Sequence, residues 1–102
     1  MTKAYRLEEL QAKAGDVAQL LKVLANESRL LILCQLVSDG ETSVGALAEM
    51  CGLSQSALSQ HLAKMRDEGL VATRRSGQTI YYNIQDPRAL SLLKVLRETC
   101  CR

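Results

Sequence analysis

At 102 residues the chain has room for one modest hydrophobic core. It has no Phe and no Trp, and three Tyr are its only aromatic residues, so the core must be Leu, Val, Ile, Ala and Met, which suits packed helices better than a sandwich. A formal net charge of +2 says little by itself, but Arg66, Arg74 and Arg75 fall together in the second half while Glu8, Glu9, Asp39 and Glu41 lie elsewhere. The N-terminal MTKAYRLEELQAKAG is polar and mixed in charge, without the apolar stretch of a secretory signal, and no apolar run approaches the roughly 20 residues of a membrane span. A cytoplasmic location is expected. In that reducing compartment four cysteines are buried hydrophobes, metal ligands or redox sensors rather than a disulfide framework.

Leu10, Ala14, Val17, Leu21 and Leu24 recur at three- and four-residue spacing, which predicts an amphipathic helix from about Leu7 to Ala25. Asn26 can cap a second helix, from about Glu27 to Ser38, and Glu27 in its first turn suits the helix dipole. Leu30-Leu31-Ile32-Leu33-Cys34 is apolar all round, so this is the expected buried central helix. Gly40 ends it. Thr42 or Ser43 caps a short third helix through Met50, and Gly52 stands where a left-handed C-terminal residue is wanted. Ser54 caps a fourth helix that Gly69 closes. Val71 to Arg75 and Thr79 to Ile84 read as a hairpin turning at Ser76-Gly77-Gln78. Asp86-Pro87 then supplies an N-cap and an N1 proline for a last helix to about Cys100. The order α-α-α-α-β-β-α is that of a mainly α winged helix-turn-helix, one domain over residues 1–102 with extra terminal helices.

On the fourth helix, at about 100° per residue, Leu58, Leu62 and Met65 cluster on one side as the core anchor. Ser56, Ser59, Gln60 and Lys64 point away from it, and Gln55 sits at the exposed N-terminal end. Recognition helices read bases from their N-terminal part. Gln can bond adenine through two hydrogen bonds, and Ser serves a base edge or a phosphate. Lys64, Arg66, Arg74 and Arg75 are candidates for the sequence-independent, salt-sensitive share of DNA binding. The bland alternative is a solvated polar face. A preceding short helix and a following basic hairpin favour DNA contact. His61, at the flank, fits a phosphate contact or simple exposure better than a metal site.

The runs LLKVLANESRLLILCQL, SVGALAEMCGLSQSALSQHLAKMRDEGLV and RRSGQTIYYNI resemble the ArsR/SmtB family of bacterial repressors, over nearly the whole chain. Within it they are most similar to the sulfide- and persulfide-responsive branch of BigR and SqrR type, together with the HlyU-type regulators. The resemblance implies a homodimer formed through the first and last helices that represses by binding double-stranded DNA at an imperfect inverted-repeat operator. It implies that Gln55, Ser56, Ser59, Gln60 and His61 lie on the DNA-reading helix, opened by Ser54, and that Arg74, Arg75 and Gln78 lie on the wing.

Relatives that sense metals use Cys-x-Cys near the third helix or His and Asp in the last. Here Cys51 stands alone in AEMCGLS, and RALSLLKVLRETCCR has no His. No metal or cofactor is expected, although thiolates from separate helices converging on a soft metal or metalloid remain the alternative. The persulfide-responsive relatives carry one cysteine in the second helix and one near the end of the last, which matches Cys34 and Cys100. The wheel also prefers Cys100, which shares a stripe with Ala89, Leu93 and Leu96, and makes Cys101 peripheral. Cys51 reads as a core residue, and buried inert thiols are the bland reading of Cys34 as well. On the resemblance, one thiolate attacks a reactive sulfur species or an oxidant and the other cysteine resolves the product into a disulfide or a sulfur-bridged link. Such a link changes the separation of two recognition helices that must reach half-sites about 34–36 Å apart. With one His, no phosphate-cradling Gly loop and no paired carboxylates, an enzyme is not expected. The other rival is a winged-helix interaction module that does not touch DNA.

Overall fold

Among the described residues, four of the five helices begin on a side chain that satisfies a free backbone N–H. Asn26 Oδ1 accepts from Arg29 N at 3.0 Å, Ser43 Oγ from Ala46 N at 3.2 Å, Ser54 Oγ from Ala57 N at 3.1 Å, and Asp86 Oδ1 from Arg88 N at 2.8 Å. Each such cap stabilises its helix by about 0.5–2 kcal/mol. The computed structural model describes residues 6–101. These form α1 (Leu7–Leu24), α2 (Glu27–Asp39), β1 (Thr42–Ser43), α3 (Val44–Cys51), α4 (Gln55–Asp67), β2 (Val71–Ser76), β3 (Thr79–Ile84) and α5 (Pro87–Cys100). None of these helices is long and apolar enough to cross a membrane.

The expected elements are present, with one addition. Thr42 and Ser43 pair antiparallel with Tyr82 and Tyr81, making a three-stranded sheet of order β1-β3-β2. Two residues are too few to show a period of two, and Ser43 reads from sequence as a helix cap, which it also is. The hairpin is tighter than expected. Ser76 pairs with Thr79, so only Gly77 and Gln78 make the turn. Gly77 has φ +61°, and among the described residues none other than Gly has positive φ, the pattern of a type II′ turn, which needs Gly at its first central position.

The core joins Leu20, Val23 and Leu24 of α1 to Ile32, Leu33 and Leu36 of α2 and to Leu47 of α3. From the other side come Leu58, Leu62 and Met65 of α4, Leu70, Val71, and Ala89 and Leu93 of α5. Two apolar faces are left open, and for α2 this corrects the expectation of burial all round. Of the predicted α1 stripe only Leu24 is buried; Leu10 and Leu21 are 52% and 50% exposed, and Val17 is exposed as well. Only the last turns of α1 touch the core, and the rest projects, giving extents of 49 × 31 × 22 Å. Nor is α2 buried all round: Leu31 is 52% exposed, and Leu30 and Cys34 are half-buried. Periodicity identifies an apolar face but not what covers it, and among the described residues nothing covers Leu10, Val17, Leu21 or Leu31.

Candidate DNA-reading face and thiol cavity

Leu58, Leu62 and Met65 are fully enclosed, which fixes the rotation of α4 and turns its opposite side outward. Ser54, Gln55, Ser56, Ser59, Gln60 and Lys64 are all exposed, as expected. Gln55 and the wing-tip Gln78 open onto one cavity of about 430 Å³ that also takes in Ser43, Gly45 and Thr79. A neighbouring cleft of about 480 Å³ between α4 and the wing carries Ser59, Arg66, Ile80 and Tyr82. The structure thus brings the candidate base-reading end of α4 and the tip of the wing to one surface.

Two candidates on that surface are partly engaged elsewhere. His61 is half-buried, and its Nδ1 accepts a long 3.4 Å bond from Arg29 Nε, while Arg29 Nη1 donates to the Val23 carbonyl at 3.1 Å. Arg29 therefore ties the end of α1 and the start of α2 to α4.

Arg74 grips Glu41 through Nε and Nη2, at 2.7–3.1 Å, and lies 4.7 Å from the centroid of the Tyr81 ring. The hydrogen bond to Arg74 holds the Glu41 carboxyl below its usual range, and the Arg74 guanidinium is raised in turn. Both groups are largely open to water, so the pair contributes little to stability. It does neutralise the charge that Arg74 would offer a phosphate. Arg75 pairs with Ile80, one residue out of step with the Arg74–Tyr81 pair, and so projects from the other face of the strand. Sequence reasoning gave no sign of Arg29 or Glu41 as partners, because both contacts join residues 32 or more positions apart.

The cysteines form a second site. Between α2 and the end of α5 lies a cavity of about 380 Å³ lined by Glu27, Leu30, Leu31, Cys34, Leu96, Arg97, Cys100 and Cys101. All four cysteines are free thiols. Cys34 and Cys100 thus open onto one space. Cys101, expected at the periphery, lines it too. The reason is local: α5 stops at Cys100, and Cys101 leaves the helix at φ −119°, ψ 37°, so a wheel of constant step no longer locates it. Arg97 Nη1 donates to Ser38 Oγ at 2.9 Å and clamps the two helices side by side. Burial pushes the Cys34 thiol up, the Cys101 charge pushes it further, and Arg97 draws it back down. Cys51 lies apart at the end of α3, half-buried against the core. The soft-metal alternative finds no group of three or more His, Cys, Asp or Glu placed to hold an ion among the described residues.

An exposed polar helix seated on a helical core, with a β-hairpin beside it, defines a winged-helix transcriptional regulator. The chain belongs to the arsR family of bacterial regulatory proteins, whose model matches residues 26–73. It is 45% identical over 95 residues to the HTH-type transcriptional regulator YgaV of Escherichia coli K12, covering 93% of this chain and 96% of that one. Among solved structures it is similar to reduced HlyU of Vibrio cholerae, with TM-score 0.89, 44% identity, and coverage of 94% of this chain and 100% of the other. The repressor BigR of Xylella fastidiosa matches with TM-score 0.87 at 38% identity, over 96% of this chain and 99% of that one. These relatives are transcriptional regulators and not enzymes.

Proposed function

We propose that the chain is a cytoplasmic, homodimeric repressor whose output is the α4–wing surface and whose input is the α2–α5 thiol cavity. Repression is the sign carried in the name of BigR. The inducer is a reactive sulfur species or another thiol oxidant. The observation that carries this reading is that Cys34 meets Cys100 and Cys101 on one cavity between a central helix and a helix with exposed leucines. Attack by the Cys34 thiolate followed by resolution from a C-terminal cysteine ties α2 to α5. Cys101 is favoured as the resolving thiol. Its charge is felt at the Cys34 thiol, and it lines the same cavity.

Residues 1–102 act as one DNA-binding unit with dimerising terminal helices. The double-stranded operator, an imperfect inverted repeat, is read by Gln55, Ser56, Ser59 and Gln60, with Ser54 at the helix start and His61 at the flank. Lys64, Arg75 and Gln78 hold the backbone. The test uses a duplex recovered by selection from random-sequence DNA and follows binding by fluorescence anisotropy. Affinity should fall steeply with salt, and polysulfide should release the DNA while joining the Cys34 peptide to a C-terminal peptide in the mass spectrum. Salt-independent binding would sink the DNA reading. DNA retained under polysulfide with no linked peptide would sink the sensor reading.

The two wing arginines should separate in the same assay. Arg75→Ala should lower the slope of log affinity against log salt by about 1, the loss of one phosphate contact. Arg74→Ala should leave the slope nearly unchanged, because Glu41 already neutralises that guanidinium. Equal losses of slope from both would show that DNA displaces Glu41 from Arg74.

A further inference from the structure

We infer that Arg97 is a positioning residue that draws an inorganic polysulfide anion into the α2–α5 cavity beside Cys34, and so selects it over neutral oxidants. The inference rests on the thiol-sensing reading above and adds to it a residue and a basis for discrimination.

The wall of this cavity is Leu30, Leu31 and Leu96 together with three thiols, and its two charged groups are Arg97 and Glu27. A chain of soft, polarisable sulfur atoms suits such a wall. Its negative charge needs a partner there. The bond from Arg97 to Ser38 fixes the guanidinium over α2 one helical turn from Cys34, about 6 Å along the axis. Glu27 lies two turns away in the other direction, about 10 Å along it, at the α2 N-terminus, where the helix dipole already favours a carboxylate. An anion near Cys34 therefore meets the cation first. Guanidinium carries five N–H donors, and Ser38 engages one nitrogen, leaving donors for a ligand. Arg97 also favours the thiolate of Cys34 against burial and against Cys101, so one group serves both reactants.

The step balances without a further reagent. The Cys34 thiol gives up its proton, and its Sγ forms a bond to a terminal sulfur of HS4−. The S–S bond next to that sulfur breaks, and HS3− leaves with the electron pair. Cys34 is left as a persulfide, Sγ–SH. The Cys101 thiolate then attacks Sγ, and hydrosulfide leaves to give a Cys34–Cys101 disulfide. Cys34 and Cys101 are oxidised, and the polysulfide is reduced. Hydrogen peroxide is neutral, so it shares the effect of Arg97 on the thiolate but is not drawn in by its charge.

The test compares wild type, Arg97→Gln and Arg97→Lys, reading Cys34 alone by mass spectrometry of its peptide. Each protein is treated with sodium tetrasulfide and, separately, with anionic iodoacetate and neutral iodoacetamide at low and high salt. Loss of the cation should slow the tetrasulfide reaction and lower the iodoacetate-to-iodoacetamide rate ratio by about tenfold at low salt. Arg97→Lys should keep most of that ratio. A change in thiol ionisation or packing slows both alkylating agents alike, so equal slowing would overturn the inference, as would an unchanged ratio. If wild type prefers iodoacetate yet does not react with tetrasulfide, the thiol-sensing reading itself fails and the polysulfide assignment falls with it.

Discussion

Replacing Cys34 by Ser should leave operator affinity unchanged and abolish release by polysulfide. The site is half-buried at the edge of the core and beside a cavity, so a hydroxyl of nearly the same size is accommodated and the cost in stability should stay at about 1 kcal/mol. What disappears is the nucleophile, because a serine hydroxyl does not ionise in the range where a thiol does. The C-terminal cysteines should differ from each other. Cys101→Ser should let the Cys34 persulfide form but not close, leaving a product that thiols reverse readily. Cys100→Ser should close normally. If instead Cys100→Ser blocks the link and Cys101→Ser does not, the stripe that the helical period places over α2 is the correct guide to the pair. The pH dependence has a definite sign. Because burial and Cys101 raise the Cys34 thiol, its thiolate fraction and its alkylation rate should still be climbing above the pH where an ordinary thiol levels off. Arg97→Gln should move that climb to higher pH still, since Arg97 pulls the other way.

The parts of this molecule legible in the sequence are those fixed by neighbours along the chain. Asn26, Ser43, Ser54 and Asp86 cap helices because a side-chain oxygen two or three residues ahead of a free N–H needs no tertiary help. Leu58, Leu62 and Met65 reveal the rotation of α4 because they share one side of a regular helix. Contacts set by the third dimension were not legible. Nothing local marks Glu41 as the partner of Arg74 or Arg29 as the partner of His61. Cys101 is hard to place for another reason: the helical wheel assumes a helix that has already ended there. The short β1 strand was hidden because one residue, Ser43, both pairs with Tyr81 and caps α3. The α1 stripe is the most instructive case, since the helical period shows its apolar face and carries no information on what covers it.

That stripe leads to the other large effect. Leu10, Ala14, Val17, Ala18 and Leu21 line a shallow apolar cavity of about 340 Å³ along α1. On α5, Leu92, Val95 and Leu96 are also exposed. Contiguous apolar surface of this kind marks an association site in a soluble protein, and the terminal helices are where the family resemblance puts the dimer contact. The double substitution Val17→Asp with Leu21→Asp should therefore yield a monomer by sedimentation. Its helical content and the packing of Leu20, Val23 and Leu24 should persist, because neither altered position belongs to the core. Operator affinity should drop by about 10²–10⁴, the advantage lost when two linked half-site contacts become one. A variant that stays dimeric and binds normally would move the interface off α1. A variant that becomes monomeric yet keeps full affinity would show that a single α4–wing surface reads the operator unaided. In that event a link between Cys34 and the end of α5 could no longer act through the separation of two recognition helices, and the signal would have to reach α4 within one chain. Arg29, which bonds both the last turn of α1 and His61, is the contact through which it would pass.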